Sequence, residues 1–247
     1  MSSDDAFPSR NGKKIVVKKN GPYVVKGGIP LTRKTQVVSE FGEPLTWKNE
    51  GPISVEGDEY ELCRCGQSKN FPFCDDAHKH VDFDGTETAD TGLTADRQRP
   101  LKTGVQLFIK KDPSLCMISG FCGFYKAPLS KFIAESGDTQ KRSLAMAMVE
   151  RCPAGSLTYR TEPDEPDIEP DLPQMIADTT EITSDGSIIG SLWVMGGILV
   201  ERSDGEPLET RNRVTLCNCG KSSNKPLCDG THRHRARELG RQRKQKQ

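Results

Sequence analysis

Residues 63–80 read CRCGQSKNFPFCDDAHKH, and residues 217–234 read CNCGKSSNKPLCDGTHRH. The two segments are identical at ten of 18 positions and share the spacing Cys-x-Cys-x8-Cys-x3-His. Thiolates two residues apart in an extended segment lie on one side and can share a metal ion. A cysteine and a histidine four residues apart face one side of a helical turn and can share a second ion. The spacing therefore predicts two ligand pairs in each motif: Cys63 with Cys65 and Cys74 with His78, then Cys217 with Cys219 and Cys228 with His232.

The residues around these ligands favour a tight turn. Pro72 precedes the third cysteine and biases the chain before it toward extended structure. Asp75 is placed to cap the turn that follows. Gly230 tolerates a positive φ in the second motif, and Asp76 stands at the same place in the first.

The repeat extends upstream of both motifs. Residues 21–29 match residues 190–198, and Gly-Glu-Pro-Leu occurs at residues 42–45 and again at 205–208. Short apolar runs bounded by turn residues predict strands at residues 15–17, 23–25, 192–194 and 198–200. We therefore expect a β-rich half at residues 1–100, a different module at 101–163 and a second β-rich half at 164–247.

The pattern CxCxxSxxxPxCDxxH resembles the CDGSH iron–sulfur domain of the NEET proteins. CDDAH and CDGTH stand where the family name spells CDGSH. The resemblance implies one [2Fe–2S] cluster per motif, with two cysteines on the inner iron and a cysteine and a solvent-facing histidine on the outer iron. The implied inner ligands are Cys63, Cys65, Cys217 and Cys219, and the implied outer ligands are Cys74, His78, Cys228 and His232. NEET proteins with one motif dimerise, so two motifs in one chain imply an α+β fold in which the two modules form an intramolecular pseudo-dimer.

Two alternatives remain for the cysteines. Zinc is the competing metal because three cysteines and one histidine form an ordinary structural zinc set, although zinc sites usually pair their cysteines as CxxC or longer. A disulfide framework is disfavoured because nine cysteines is an odd number and residues 1–5, MSSDD, do not resemble a secretory leader. His80 and His234 follow each ligand histidine by two residues, and we expect both to be exposed.

Three further cysteines lie between the motifs. Cys116 and Cys122 flank Met-Ile-Ser-Gly-Phe, and Cys152 precedes a proline. Bacterial ferredoxins use C-x2-C-x2-C and a distant Cys-Pro, and Ser119 stands where the second cysteine would be. Residues 105–160 resemble divergent single-cluster ferredoxin modules, which commonly carry a histidine where Ile118 stands here. The resemblance implies a third cluster, either [3Fe–4S] or a [4Fe–4S] cluster completed by Ser119, water or a partner. The alternative is a core in which the three thiols pack as small hydrophobic groups.

Other patterns predict the elements around these cysteines. A strand is expected at residues 105–109, and a helix from Thr139 to Arg151 begins after Asp138 or Thr139, with Leu144, Met148 and Cys152 on one face. Residues 82–100 have the composition of a linker. Residues 162–181 contain eight acidic residues and four prolines, which predicts an extended, solvated connector. The chain from Arg233 onward is a basic tail.

Composition limits the function. Only 34% of the 247 residues are apolar, and 35 basic residues balance 35 acidic residues, so we expect small modules with no general attraction to nucleic acid or membrane. The longest uncharged run, residues 186–200, is shorter than the roughly 20 residues of a membrane-spanning helix. Reduced thiols then favour a cytoplasmic protein.

The sequence carries no nucleophile elbow, phosphate loop or dinucleotide fingerprint, so we expect a one-electron carrier and no enzyme. A histidine ligand raises the reduction potential and couples the cluster to pH. The expected partner is a redox protein or an apo-protein that accepts a cluster, and the chain is expected to be a monomer with an internal pseudo-two-fold. A cluster donor or redox sensor, and a zinc-stabilised interaction scaffold, are the alternative functions.

Overall fold

The computed structural model describes residues 12–123 and 128–234, and within these ranges the chain forms three sheets and a few short helices. The strands of the first half are β1 (Lys14–Val17), β2 (Tyr23–Lys26), β3 (Leu31–Val38), β4 (Pro44–Ile53) and β5 (Glu59–Leu62). The central elements are α1 (Thr94–Arg97), β6 (Arg99–Gly104), β7 (Leu107–Lys111), α2 (Leu129–Ala134), α3 (Thr139–Glu150) and β8 (Leu157–Arg160). The second half contributes β9 (Met175–Thr183), β10 (Gly186–Met195), β11 (Leu199–Glu201) and β12 (Arg213–Leu216), and residues 231–234 are also helical.

The two halves exchange strands. One sheet has the order β11-β1-β2-β5, and the other has the order β12-β10-β9-β3-β4. Strand β11 lies parallel to β1, and β3 lies parallel to β9, whereas the other neighbouring strands of these sheets are antiparallel. The chain leaves its own sheet at the Gly-Gly pairs 27–28 and 196–197, whose φ angles lie between 62° and 85°. A positive φ favours glycine, so these pairs make the crossing possible.

The register of the strands is the same in both halves. Val17 lies opposite Tyr23 between β1 and β2, and Asp178 lies opposite Leu192 between β9 and β10. On the other side, Tyr23 lies opposite Leu62, and Leu192 lies opposite Leu216. The segments that match in sequence therefore occupy matching places in the two sheets.

A single apolar core joins these two sheets. It contains Ile15, Val25 and Leu62 from the first half and Ile176, Val194 and Leu216 from the second, all of them buried. Tyr23 also reaches across the core, because its hydroxyl donates to the carbonyl oxygens of Cys217 at 2.7 Å and Pro226 at 3.0 Å.

The central module is a three-stranded antiparallel sheet, β6-β7-β8, with α2 and α3 packed against it. The predicted strand at residues 105–109 begins two residues too early. Val105 is exposed and Gln106 has a φ of 49°, so this pair forms the turn between β6 and β7. The module has its own apolar core, which includes Leu107, Ile109, Leu129, Ile133 and Val149.

Helix α3 confirms the predicted helix and its cap. The Asp138 carboxylate accepts hydrogen bonds from the backbone N–H groups of Gln140 and Lys141. Of the three residues expected on one face, Met148 and Cys152 are buried, whereas Leu144 is 48% exposed. The buried positions of the helix are Ala145, Met148 and Val149.

The predicted connector at residues 162–181 was wrong in its last part. Strand β9 begins at Met175 and lies in the middle of a sheet, between β10 and β3. Ile176 and Glu181 are completely buried there. The expected linker at residues 82–100 is also partly regular, because it contains α1 and the start of β6. The basic tail beyond residue 234 lies outside the described residues.

None of the helices within residues 12–123 and 128–234 has the length and apolar character needed to cross a membrane.

Candidate metal centres

The first motif forms a compact loop at the end of β5. The backbone N–H of Cys63 donates to the carbonyl of Pro72, and the N–H of Cys74 donates to the carbonyl of Glu61. These bonds hold the third cysteine beside the strand that carries the first. The Sγ atoms of Cys63 and Cys65 are 3.7 Å apart, and Cys74 Sγ lies 3.5 Å from His78 Nδ1.

The second motif repeats this arrangement at the end of β12. The N–H of Cys217 donates to Pro226, and the N–H of Cys228 donates to Thr215. The Sγ atoms of Cys217 and Cys219 are 3.7 Å apart, and Cys228 Sγ lies 3.5 Å from His232 Nδ1. The structure thus brings together every ligand pair that the spacing predicts.

Each ligand loop is held in shape by an aspartate of its own. Asp75 accepts hydrogen bonds from the backbone N–H groups of Lys69 and Ala77, which confirms its predicted capping role. Asp229 accepts the equivalent bonds from Ser223 and Thr231. Although burial opposes it, this bonding lowers the pKa of Asp229 to about 2.

The ligand atoms lie in pairs and not in groups of four. Within residues 12–123 and 128–234, the one set of three or more potential ligands whose atoms all lie within 4.8 Å is Cys74, Asp76 and His78. Four ligands of one tetrahedral zinc ion would all lie closer together than that, since Zn–S and Zn–N bonds are about 2.0–2.3 Å long. Two pairs, each able to hold one iron, suit the two metal ions of a [2Fe–2S] centre.

Comparison with protein families gives a match that covers both motifs. The model of the iron-binding zinc finger of CDGSH type matches residues 20–79 and 189–233. The chain carries two CDGSH-type domains. Comparisons with curated proteins and with solved structures give no match.

The two CDGSH domains touch through their ligand loops. A Cβ atom added to Gly66 would lie 2.8 Å from the Cα atom of Cys219, and one added to Gly220 would lie 2.6 Å from the carbonyl oxygen of Cys65. Both glycines also have positive φ angles, 72° and 74°. The glycine after the second cysteine of each CDGSH domain therefore packs against the second cysteine of the other.

Burial and neighbouring sulfurs shift the thiol pKa values in both CDGSH domains. Burial raises the pKa of Cys65 to about 11 and that of Cys228 well above its ordinary value. The contact between Cys217 and Cys219 lowers the pKa of Cys217 to about 6 and raises that of Cys219, so this pair shares one proton. Metal binding must displace such protons, which couples loading of the CDGSH domains to proton release.

The two ligand histidines differ in their surroundings. The side chain of His232 is 4% exposed, and its Nε2 lies 3.0 Å from Oε1 of the buried Glu181. The expectation of a solvent-facing histidine is therefore wrong for the second CDGSH domain. The side chain of His78 is 10% exposed, and the nearest carboxylate oxygen recorded for it is Asp76 Oδ1 at 4.0 Å. His80 and His234 are exposed, as predicted.

The three central cysteines line one pocket together with Met117, Ser119 and Phe121. Cys152 is buried, and Cys116 and Cys122 are partly buried. Burial raises the pKa of Cys122 and of Cys152. Met117 and Cys152 also pack in a buried cluster with Cys228, so the pocket adjoins the second CDGSH domain.

Sequence reasoning missed Glu181, because it assigned this residue to the solvated connector. The β-branched residues around it, in Thr-Thr-Glu-Ile-Thr at 179–183, are the signal that could have indicated a strand.

Proposed function

We propose that the protein is a one-electron carrier that holds one [2Fe–2S] cluster in each CDGSH domain. The observation that carries this proposal is the pairing of the ligand atoms, two sulfurs at 3.7 Å and a sulfur and a nitrogen at 3.5 Å in each domain. The proposed ligands are Cys63, Cys65, Cys74 and His78 in the first domain and Cys217, Cys219, Cys228 and His232 in the second.

A bound [2Fe–2S] cluster supplies reversible one-electron chemistry. The protein supplies the rest. Each histidine replaces a charged thiolate with a neutral ligand, which raises the reduction potential, and its need for a free coordinating nitrogen couples that potential to pH. The buried cysteines keep water from the inner side of each site.

We infer that the two halves form an intramolecular pseudo-dimer. The parallel pairs β1–β11 and β3–β9, which have matching registers, support this inference. The reciprocal contacts of Gly66 and Gly220 support it as well, because each glycine packs against the second cysteine of the other domain. A carrier of this kind would act as a monomer and deliver electrons to a redox partner protein.

Metal and sulfide analysis with anaerobic potentiometry tests the proposed function. We expect about four iron atoms in the two CDGSH domains, visible absorbance that bleaches reversibly on reduction, and one-electron waves. Stoichiometric zinc in place of iron, in protein made with adequate iron, would overturn the proposal and favour a structural scaffold.

We propose a third cluster in the central pocket, held by Cys116, Cys122 and Cys152 in a ferredoxin-like module. The convergence of three thiols on one pocket beside the second CDGSH domain supports it. Iron content tests it: about seven or eight atoms per chain are expected with this cluster and about four without it. Cys122→Ser should reduce the content to about four, and the same value in the unmodified protein would exclude the third cluster.

Cluster donation is the second candidate function, and the exposure of the first CDGSH domain favours it. Cys74 and His78 are only partly buried, and Asp75, Asp76 and Lys79 around them are exposed. Incubation with an apo-ferredoxin separates the two functions. Transfer of absorbance to the acceptor supports donation, whereas retention of both clusters during electron transfer supports the carrier.

A further inference from the structure

A buried carboxylate contacts the histidine of the second CDGSH domain. Glu181 is completely buried, and its Oε1 lies 3.0 Å from Nε2 of His232, while its Oε2 lies 2.6 Å from Nη1 of Arg233. Because Nδ1 of His232 faces Cys228, the other nitrogen carries the hydrogen and donates it to the carboxylate.

The fold creates the space for this carboxylate. Strand β9 continues to Thr183, whereas β1, its counterpart, ends at Val17, the residue that matches Asp178. The pairing of β9 with β10 is irregular between Ile189 and Leu192. Gly190 lies in that irregular segment, and a Cβ atom there would lie 3.0 Å from Cγ of Glu181. The glycine thus leaves room for Glu181 to point inward.

The central module packs against the other side of the segment that carries His232 and Arg233. Arg233 also donates to the carbonyl oxygen of Ser119 at 3.3 Å, and Gln36 donates to the same oxygen at 2.9 Å. A Cβ atom on Gly230 would lie 2.6 Å from the carbonyl oxygen of Met117. The segment that carries His232 is therefore held against loop 117–120 through Arg233 and Gly230, on either side of the histidine.

We propose that Glu181 is a positioning residue that makes the two CDGSH sites electronically unequal, and this inference rests on the proposed function. Its carboxylate fixes the ring of His232 and the nitrogen that faces the metal. Such an outer carboxylate raises the basicity of a coordinating imidazole. A more basic ligand stabilises the oxidised state, so the second site has the lower reduction potential and the first site is reduced first.

Arg233 weakens the effect of Glu181 on the reduction potential of the second site. It withdraws part of the negative charge of Glu181 through a charge-assisted hydrogen bond. Removal of the carboxylate charge and removal of the guanidinium should therefore shift the potential of the second site in opposite directions. A purely structural role would loosen the site in both cases and shift the potential in one direction.

The test is an anaerobic potentiometric titration of the loaded full chain, followed by visible absorbance. The unmodified protein should show two separate one-electron waves from the CDGSH sites. His78→Cys and His232→Cys assign them, since each should lower only its own wave. Glu181→Gln should raise the His232 wave by the equivalent of about a tenfold change in the equilibrium constant, about 59 mV for one electron. Arg233→Gln should lower the same wave.

Asp76→Asn is the matched control. Its carboxylate is exposed and 4.0 Å from His78 Nε2, so solvent screens it and the His78 wave should move by less than the His232 wave moves in Glu181→Gln. If Glu181→Gln yields no loaded protein, Arg233→Gln decides: a lower His232 wave supports the proposal, and an unchanged or higher wave overturns it.

The outcomes separate this inference from the proposed function. Absence of iron–sulfur absorbance or of reversible waves would overturn the proposed function itself. Two reversible waves that the histidine variants assign, with the His232 wave unmoved by Glu181→Gln, would leave the carrier function intact and overturn the role of Glu181.

Discussion

Tyr23 connects the first half of the chain to Cys217 in the second CDGSH domain. Burial raises the pKa of its hydroxyl well above the ordinary value, although Arg64 opposes this, so the group remains a hydrogen-bond donor. It is the donor to the carbonyl oxygens of Cys217 and Pro226. A residue of the first half therefore holds the loop that carries candidate ligands of the second.

Tyr23→Phe should destabilise the protein by about 1–2 kcal/mol, because it leaves buried carbonyl groups without this donor. It should also speed the loss of iron from the second CDGSH domain. Thermal unfolding and the decay of visible absorbance measure the two effects. Tyr60→Phe is the control, since it removes a buried hydroxyl that donates to Ile29, within the first half. Equal rates of iron loss in both variants would contradict the role of Tyr23.

Gly66 tests the contact between the two ligand loops. Gly66→Ala should cost about 1–2 kcal/mol for its positive φ and more for the clash with Cys219. Gly57 has a similar φ of 69°, but no atom lies within 4 Å of its added Cβ, so Gly57→Ala should carry the backbone cost alone. Thermal midpoints of the two variants give the difference. No extra loss in Gly66→Ala would mean that the loops can separate without cost.

At the scale of elements, β9 is a strand whose acidic residues led to the wrong prediction of a connector. Asp178 and Glu181 give it the polarity of a connector, yet it lies between two other strands. Burial raises the pKa of Asp178, even though Arg33 lies 3.2 Å away, and its Oδ1 has no hydrogen-bond partner. The half-exposed Arg33 compensates the buried charge only in part.

The pH dependence of stability should reveal the free-energy cost of burying the Asp178 carboxylate. Because folding raises the pKa of Asp178, the folded state holds the proton more tightly, and stability declines as pH rises through the folded-state pKa. Asp178→Asn should therefore raise the free energy of unfolding at pH 7.5 by about 1 kcal/mol, and with it the thermal midpoint. The difference should shrink toward pH 4.5.

Asp204→Asn is a control of opposite sign. A hydrogen bond from the N–H of Glu206 lowers the pKa of this exposed carboxyl, so its neutralisation should give no gain at pH 7.5. If Asp178→Asn raised the stability by the same amount at every pH, the assignment of the stability change to a buried charge would be contradicted.

The sequence predicted local features better than distant ones. The ligand pairs, the Asp75 cap and helix α3 each depend on residues a few positions apart, and spacing determines them. The exchange of β3 and β11 depends on pairing between segments more than 140 residues apart, which no local pattern encodes. The burial of His232 depends on Glu181 and on loop 117–120, which approach it only in the folded chain.

At the scale of the whole molecule, strand exchange means that neither half completes a sheet alone. Without the second half, β1 loses β11 and β3 loses β9. Residues 1–100 expressed alone should therefore be insoluble or should dimerise, with β3 of a second copy in the place of β11. Size-exclusion chromatography with light scattering measures the mass.

Co-expression of residues 1–163 with residues 164–247 should restore a one-to-one complex. The cut lies between β8 and β9, where residues 161–167 form no strand. A stable, well-folded monomer of residues 1–100 would contradict the interdependence of the halves.

The loop contacts at Gly66 and Gly220 make each ligand loop a wall of the other site. When the first metal centre assembles, it orders a wall of the second, so the second loses less conformational freedom on assembly. Filling should therefore be cooperative, and native mass spectrometry under limiting iron and sulfide should show empty and doubly filled chains with few singly filled ones. When iron is scarce, the number of doubly filled chains would then fall, and few chains would carry a single filled site.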